Sequence, residues 1–140
     1  MIKLRFIFSL LLLDQTIKYL TLDVHKEIFP FFFINSVHNN GTLFGLFQNT
    51  NFILIVLTFL ILSILFYFYN KEPSLQQGFN FIIAGALGNL LDRVYRGYVL
   101  DFLDFKLWPI FNLADTFVVI GIIFFVYFTL KKESLNTSSS

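Results

Sequence analysis

The chain has no cysteine, and only 14% of its 140 residues are charged. The lack of cysteine excludes disulfide bonds, thiolate metal sites and thiol nucleophiles. A soluble domain has about 25% charged residues. The low charge, a hydrophobic share of 56% and a mean hydropathy of +0.73 therefore indicate a membrane protein. The length allows one domain.

Basic residues and histidines are also few and dispersed. The formal net charge is +1, and no cluster of Lys and Arg of the kind that follows phosphates is present, so no nucleic-acid partner is expected. The two histidines, His25 and His38, stand apart without metal-ligand spacing, and we interpret them as ordinary loop residues. No metal site is predicted.

Four apolar segments are near the length needed to cross a bilayer. They lie at residues 4–22, 52–69, 75–94 and 112–130. The first resembles the start of a signal peptide, but no small-residue cleavage site follows, so we interpret it as a retained span.

An even number of spans places both termini on one side, and the basic residues near both termini favour the cytoplasm. We therefore predict an all-α membrane protein with four transmembrane helices. It would form one domain at residues 1–132, followed by a polar, disordered tail at residues 133–140.

Two longer connections fall on the side opposite the termini. Residues 23–51 include a β-prone stretch at 28–37 and an Asn-Asn-Gly turn at 39–41, which predicts a small β-sheet at the membrane surface. Residues 95–111 include Trp108 and are predicted to form an amphipathic loop at the membrane interface.

Charged and amide side chains within the spans collect at the same membrane face as these connections. The non-catalytic alternative is that Asp14 with Lys18, and Asp92 with Arg93, are charge pairs that hold helices together. Gly85 and Gly88 are predicted to be helix-packing residues. The polar group as a whole comprises Asp14, Lys18, Asn89, Asp92, Arg93, Asp101, Asn112 and Asp115.

Asp101 and Asp115 are the pair of residues that indicates a catalytic site. A carboxylate inside an apolar span costs roughly 2.5–3.5 kcal/mol at mid-span and less towards the helix end, so it needs a compensating role. Two neighbouring carboxylates share a proton and can activate water against a carbonyl, as in aspartic proteases. Amide hydrolysis is the leading hypothesis, and which aspartate is the base stays open. Asp104 is an alternative partner, because Asp104-Phe105 repeats Asp101-Phe102.

The alternative from another class is a small membrane binding or proton-relay protein without peptidase activity. A relay would need ionisable residues spread through the bilayer thickness. The second and fourth spans have no ionisable residues away from the membrane face where the long connections lie, which disfavours a relay.

Five sequence blocks occur in a set order across residues 14–115, and together they resemble the lipoprotein signal peptidase (signal peptidase II) family. One block alone would be weak, whereas five in order are specific. The blocks are Asp14-Gln15-x-x-Lys18, Asn39-x-Gly41-x-x-Phe44-Gly45, Gly88-Asn89-x-x-Asp92-Arg93, Gly97-x-Val99-x-Asp101-Phe102 and Phe111-Asn112-x-Ala114-Asp115.

The resemblance implies an aspartic endopeptidase of the bacterial inner membrane with its active site near the periplasmic face. Such enzymes remove the signal peptide from diacylglyceryl-modified prolipoproteins, cutting before the lipidated cysteine. The implied partners are prolipoproteins, membrane lipid and globomycin-type inhibitors, and no cofactor is implied. An inactive relative that binds prolipoproteins without cutting is a further alternative, which the intact aspartate pair disfavours.

The resemblance also implies roles for individual residues. Asp101 and Asp115 would be the catalytic pair. The implied substrate-binding or site-supporting residues are Asp14, Lys18, Asn39, Gly41, Asn89, Asp92, Arg93 and Asn112.

Overall fold

Four helices and three short strands form the part of the chain that the structure, a computed structural model, describes. That part is residues 3–41 and 51–137, with side chains described through residue 135. The helices are α1 (Leu4–Leu20), α2 (Asn51–Tyr69), α3 (Gln76–Tyr95) and α4 (Leu113–Thr137), and a short 3₁₀ turn (Pro73–Leu75) precedes α3. The strands are β1 (His25–Phe29), β2 (Phe32–Asn39) and β3 (Val99–Asp104).

All four apolar segments are confirmed as helices, but their suitability for crossing a membrane differs. Within the described residues, only α2 and α4 (from Leu113 to Leu135) are both long and apolar enough, with mean hydropathies of 2.7 and 2.2. Only 11% of the apolar stretch of α2 is buried, which is typical of a helix that faces lipid. Helix α1 has only 17 residues, and α3 carries several polar side chains. Four crossings therefore stay a prediction.

The small β-sheet predicted from residues 23–51 is confirmed, with a strand reversal inside the β-prone stretch. Strands β1 and β2 form an antiparallel hairpin. The chain reverses at Pro30 and Phe31, and Phe31 has a positive φ of 69°.

The prediction of an amphipathic loop over residues 95–111 was wrong in its middle. Val99–Asp104 is a third strand that pairs antiparallel with β2, which gives the order β1-β2-β3. Nearly every β3 residue is buried, so its sequence lacks the alternation that marks a half-exposed strand. The pairing places Val37 opposite Asp101, and Asn39 opposite Val99. Asn39 and Asp101 thereby come to the same face of the sheet.

Glycines allow α3 to approach α4 and α1 closely. A Cβ atom on Gly85 would overlap the carbonyl oxygen of Ala114. A Cβ atom on Gly88 would lie 2.7 Å from the Asp14 Oδ2 and 3.0 Å from the Ala114 Cβ. The prediction that both glycines pack helices is confirmed, and the close packing brings the start of α4 beside α1 and α3.

The bundle has two chemically different ends. One end joins the second half of α1, the end of α3 and the start of α4, and it carries the sheet. The other end joins the end of α2, the 3₁₀ turn and the end of α4, where Lys132 Nζ lies 2.7 Å from Glu72 Oε2. Near this second end, the buried Tyr69 hydroxyl donates to Asn80 Oδ1 at 2.9 Å.

Candidate active site

Asn112 and Asp115 form a reciprocal cap at the start of α4. The Asn112 Oδ1 accepts the backbone N–H of Asp115 at 2.9 Å, and the Asp115 Oδ2 accepts the backbone N–H of Asn112 at 3.2 Å. This arrangement satisfies two amide groups that a helix N-terminus leaves without partners. The sequence Asn-Leu-Ala-Asp thus holds the Asp115 carboxylate close to Asn112.

Asp101 lies on β3 next to this cap and is only 3% exposed. Its Oδ1 accepts a hydrogen bond from Asn112 Nδ2 at 2.6 Å, and its Oδ2 accepts one from Asn39 Nδ2 at 2.8 Å. Asn112 therefore contacts both carboxyl groups, one through its side chain and the other through its backbone. The structure brings Asp101 and Asp115 together, as the sequence predicts.

Asn89 completes the surroundings of the pair from α3. Its Nδ2 donates to Asp115 Oδ1 at 2.7 Å, and its Oδ1 accepts from Asn112 Nδ2 at 3.1 Å. Each of the four carboxyl oxygens of the pair consequently accepts an amide hydrogen bond. Asp115 and Asn89 are half-buried, whereas Asn112 is fully buried.

The environment of Asp101 favours its protonated form. Burial raises the pKa of Asp101 to about 7, even though hydrogen bonds from Asn39 and Asn112 act in the opposite direction. The nearby charge of Asp115 raises the pKa of Asp101 further. A proton can therefore reside on Asp101 near neutral pH, as general acid–base chemistry by a carboxyl pair needs.

The raised pKa of Asp101 predicts a pH-dependent stability difference for Asp101→Asn. Because the pKa of Asp101 is higher in the folded chain than in the unfolded chain, protonated Asp101 stabilises the folded state. This contribution is complete below about pH 4 and is lost as the pH rises through about 7. The Asn variant cannot ionise, so the difference in Tm between the variant and the parent should shift in favour of the variant as the pH rises from 4 to 8. The measurement is the apparent Tm of both chains in detergent between pH 4 and pH 8.

Asp104→Asn is the matched control for this effect, because its expected sign is opposite. Lys106 Nζ, 2.7 Å from Asp104 Oδ2, holds the pKa of that carboxyl below its usual range. Its stability contribution is present above about pH 4 and is lost as pH falls. Asp104→Asn should therefore lower the Tm at pH 8, and equal shifts for both variants would contradict the pKa assignment.

A buried ion cluster supports the pair from the side of α1. Lys18 Nζ lies 2.9 Å from Asp14 Oδ2 and 2.8 Å from Asp92 Oδ2, and all three side chains are fully buried. Lys18 Nζ also donates to Asn89 Oδ1 at 3.2 Å, and Asp14 Oδ1 accepts the backbone N–H of Ala114 at 2.9 Å. The cluster thus connects α1 with α3 and with the first turn of α4.

Of the two charge pairs that the non-catalytic alternative named, the structure contains one. The pair between Asp14 and Lys18 is confirmed. The structure pairs Asp92 with Lys18 and, at 3.5 Å, with Arg96 rather than with Arg93. Adjacent helical residues point in different directions, whereas residues four apart share a face. Arg93 instead donates from Nη1 to its own helix, at the Asn89 carbonyl oxygen, at 3.5 Å.

The Asn39–Gly41 turn orients Asn39, which hydrogen-bonds Asp101 of the aspartate pair. The Asn39 Oδ1 accepts the Gly41 backbone N–H at 3.1 Å, which leaves its Nδ2 directed at Asp101. The predicted turn is confirmed, and it positions a site residue. Phe44 and Gly45 of the same sequence block lie outside the described residues.

Gln15 is a site-supporting residue that residue-by-residue reasoning missed. Its Nε2 lies within 3.1–3.3 Å of three acceptors, namely Asp14 Oδ2, the Gly88 carbonyl oxygen and Asp92 Oδ1. Its place directly after Asp14 in the first sequence block was the available signal.

Asp104, the alternative partner, lies apart from the pair and has its own partners. Its carboxyl group accepts from Lys106 Nζ and, at 3.1 Å, from Asn35 Nδ2. This favours Asp101 as the partner of Asp115. In the described part of the chain, no three His, Cys, Asp or Glu residues are grouped so that they could hold a metal ion.

Comparison with known proteins decides the family. The family model described as signal peptidase (SPase) II matches residues 6–131. The chain belongs to the signal peptidase II family. The lipoprotein signal peptidase of Thermodesulfovibrio yellowstonii is 42% identical to this signal peptidase II family member over 137 residues, covering 90% of this chain and 92% of that protein. The lipoprotein signal peptidase of Staphylococcus aureus is 36% identical, with coverages of 86% and 83%.

Solved structures agree with this family membership. One, described as a bacterial membrane enzyme, superposes with a TM-score of 0.86 at 32% identity, covering 94% of this chain and 88% of that chain. A second with the same description has a TM-score of 0.82 at 32% identity, with coverages of 91% and 92%. The resemblance to signal peptidase II that five short sequence blocks indicated is confirmed.

Proposed function

We propose that this signal peptidase II family member is an aspartic endopeptidase. It removes the signal peptide from diacylglyceryl-modified prolipoproteins by cutting before the lipidated cysteine. The observation that carries the proposal is the placement of Asp101 and Asp115 on either side of Asn112, which hydrogen-bonds both carboxyl groups. The names of the relatives, lipoprotein signal peptidases, support the substrate class.

The proposed reaction uses one shared proton and one water molecule. Asp101, whose pKa is raised to about 7, holds the proton and donates it to the scissile carbonyl oxygen. Ionised Asp115 takes a proton from water as the water oxygen bonds to the carbonyl carbon. When the C–N bond breaks, that proton passes to the leaving amine and Asp101 recovers its own, which restores the starting state.

The surrounding amides keep the two carboxyl groups in this geometry. Asn39 and Asn112 fix Asp101, while Asn89 fixes Asp115, so neither side chain has to reorganise during the reaction. Arg93, half-buried beside Asn89, is the charged group that we assign to hold the substrate backbone.

The membrane arrangement follows from the same elements. We propose that all four helices cross the bacterial inner membrane as one domain, with both termini in the cytoplasm. The aspartate pair at the start of α4 then lies near the periplasmic face, below the sheet. Substrate would enter from the bilayer with its acyl chains still in lipid, and globomycin-type inhibitors would compete for the same site.

The proton-relay alternative is poorly supported by the distribution of charge. Helix α2 contains no Asp, Glu, Lys or Arg, and α4 has none between Asp115 and Lys131. A relay across the bilayer would need such groups at intermediate depths.

Cleavage by the purified chain in detergent tests the proposed function. The substrate is a diacylglyceryl-modified prolipoprotein, and the control is the same precursor without the lipid. We expect a product with the modified cysteine at its N-terminus, identified by mass spectrometry, and no product from the unmodified precursor. A folded chain that binds the lipidated precursor but releases no product would replace the peptidase with the binding-only alternative.

A further inference from the structure

A cavity lies at the end of the bundle opposite the aspartate pair. It has a volume of about 310 Å³ and is open to the surface, since four of its five lining residues are exposed. It lies between the 3₁₀ turn that precedes α3 and the last turns of α4. Its lining residues are Ser74, Phe128, Lys131, Lys132 and Leu135.

The lining combines apolar and cationic side chains in a definite order. Phe128, Lys131 and Leu135 are three and four residues apart on α4, so they share one helix face. Phe128 is partly buried and packs against the hydrophobic core, whereas Leu135 is 61% exposed. The Ser74 hydroxyl across the cavity can donate or accept a hydrogen bond. These groups suit a ligand with an anionic head and an apolar body.

The charges around this end of the bundle favour an anion. Lys132 also contacts Glu72, at 2.7 Å, but half of the Lys132 side chain stays exposed. Helix α1 ends beside the aspartate pair, so its first residues lie at the cavity end. Basic residues near this end therefore outnumber acidic ones, with Lys3, Arg5, Lys71, Lys131 and Lys132 against Glu72 and Glu133.

The position of the cavity along α4 corresponds to a membrane surface. Lys131 is sixteen residues after Asp115, which at 1.5 Å per residue is about 24 Å along the helix. The hydrocarbon core of a bilayer is about 30 Å thick. With the aspartate pair at one face, the two lysines reach the headgroup region of the other face.

We propose that this cavity binds the headgroup of an anionic phospholipid. The phosphate lies between Lys131 and Lys132, the Ser74 hydroxyl bonds the polar head, and an acyl chain follows Phe128 and Leu135 into the bilayer. A zwitterionic headgroup would bring its own ammonium group near the lysines and is disfavoured. The proposal rests on the proposed membrane crossing of α4 but not on the cleavage activity, so a failed cleavage assay would not affect it.

Native mass spectrometry of the purified full chain tests the site. The chain is incubated in detergent with phosphatidylglycerol or with phosphatidylcholine carrying the same acyl chains. We expect phosphatidylglycerol to be retained and phosphatidylcholine to be lost. Lys131→Gln should weaken phosphatidylglycerol binding about fivefold, and the double variant Lys131→Gln/Lys132→Gln about 25-fold, since each lysine near a lipid headgroup contributes about that factor.

Matched control variants distinguish lipid binding at the cavity from attraction by positive charge elsewhere on the surface. Lys3→Gln/Arg5→Gln removes two positive charges from the same end but outside the cavity, and because charges beyond about 10 Å are screened by salt, it should change binding less than about twofold. Lys131→Gln is the primary variant because it leaves the contact between Lys132 and Glu72 intact.

Three outcomes would overturn the proposal. Equal losses in the cavity variants and the control variant would show that charge acts without a site. Equal retention of phosphatidylcholine would remove the selectivity for an anionic lipid. Displacement of phosphatidylglycerol by inorganic phosphate would make the cavity a site for a free anion.

Discussion

Asp101→Asn and Asp115→Asn should each lower the rate of prolipoprotein cleavage by about 10²–10⁴-fold, the usual contribution of a general acid or base. Asparagine nearly matches aspartate in shape but cannot take a proton from water or pass one to the substrate. Each Asn keeps one side-chain oxygen as an acceptor but turns its amide nitrogen towards the second donor, so one of the two hydrogen bonds is lost, and the Tm of each variant is measured beside its cleavage rate. The measurement is single-turnover cleavage with enzyme in excess over lipidated precursor.

Asp104→Asn is the matched control, because it makes the same change three residues further along the same strand. Asp104 contacts Lys106 and Asn35 rather than the pair, so cleavage should stay close to the parent rate. The double variant Asp101→Asn/Asp115→Asn should be about as slow as either single variant, since residues that act as a unit are not additive. Substantial cleavage by Asp115→Asn would refute the proposed mechanism.

The sequence alone was sufficient to find the aspartate pair and the amides around it. A carboxylate in an apolar span raises the free energy of membrane insertion, so Asp115 is predicted to be functional. The spacing of three residues places Asn112 beside it. The contact between Asn39 and Asp101 depends on strand pairing across more than sixty residues. Before the structure, only the ordered sequence blocks assigned Asn39 to the site, and they did not indicate its contact with Asp101.

Two features could not be predicted from local patterns. Strand β3 is buried on both faces, so it lacks the alternation that identifies a strand. The contact of Lys18 with Asp92 joins α1 to α3, and no spacing within one helix predicts a partner on another. The contact is possible because Gly88 lets α1 and α3 approach, as a Cβ atom there would overlap Asp14.

Lys18→Met should destabilise the chain by about 3–5 kcal/mol, the usual cost of removing one partner from a buried ion pair. Methionine fills similar space but leaves Asp14 and Asp92 buried side by side without a cation. The same change removes the hydrogen bond from Lys18 to Asn89, the residue that fixes Asp115. The measurement is the apparent Tm in detergent, followed by the fluorescence of Trp108, the chain's single tryptophan.

Lys106→Met is the matched control, because Lys106 also pairs with an aspartate but is 45% exposed. Because water reaches Lys106, its pair with the buried Asp104 contributes less than a pair that is buried on both sides, so Lys106→Met should lower the Tm less than Lys18→Met does. Removing the uncompensated charges as well, in Asp14→Asn/Lys18→Met/Asp92→Asn, should recover much of the lost stability. Cleavage per folded molecule should stay low in that triple variant, because Asn89 still lacks its lysine donor. Full recovery of cleavage would limit Lys18 to a purely structural role, and similar Tm losses for Lys18→Met and Lys106→Met would contradict the buried cluster.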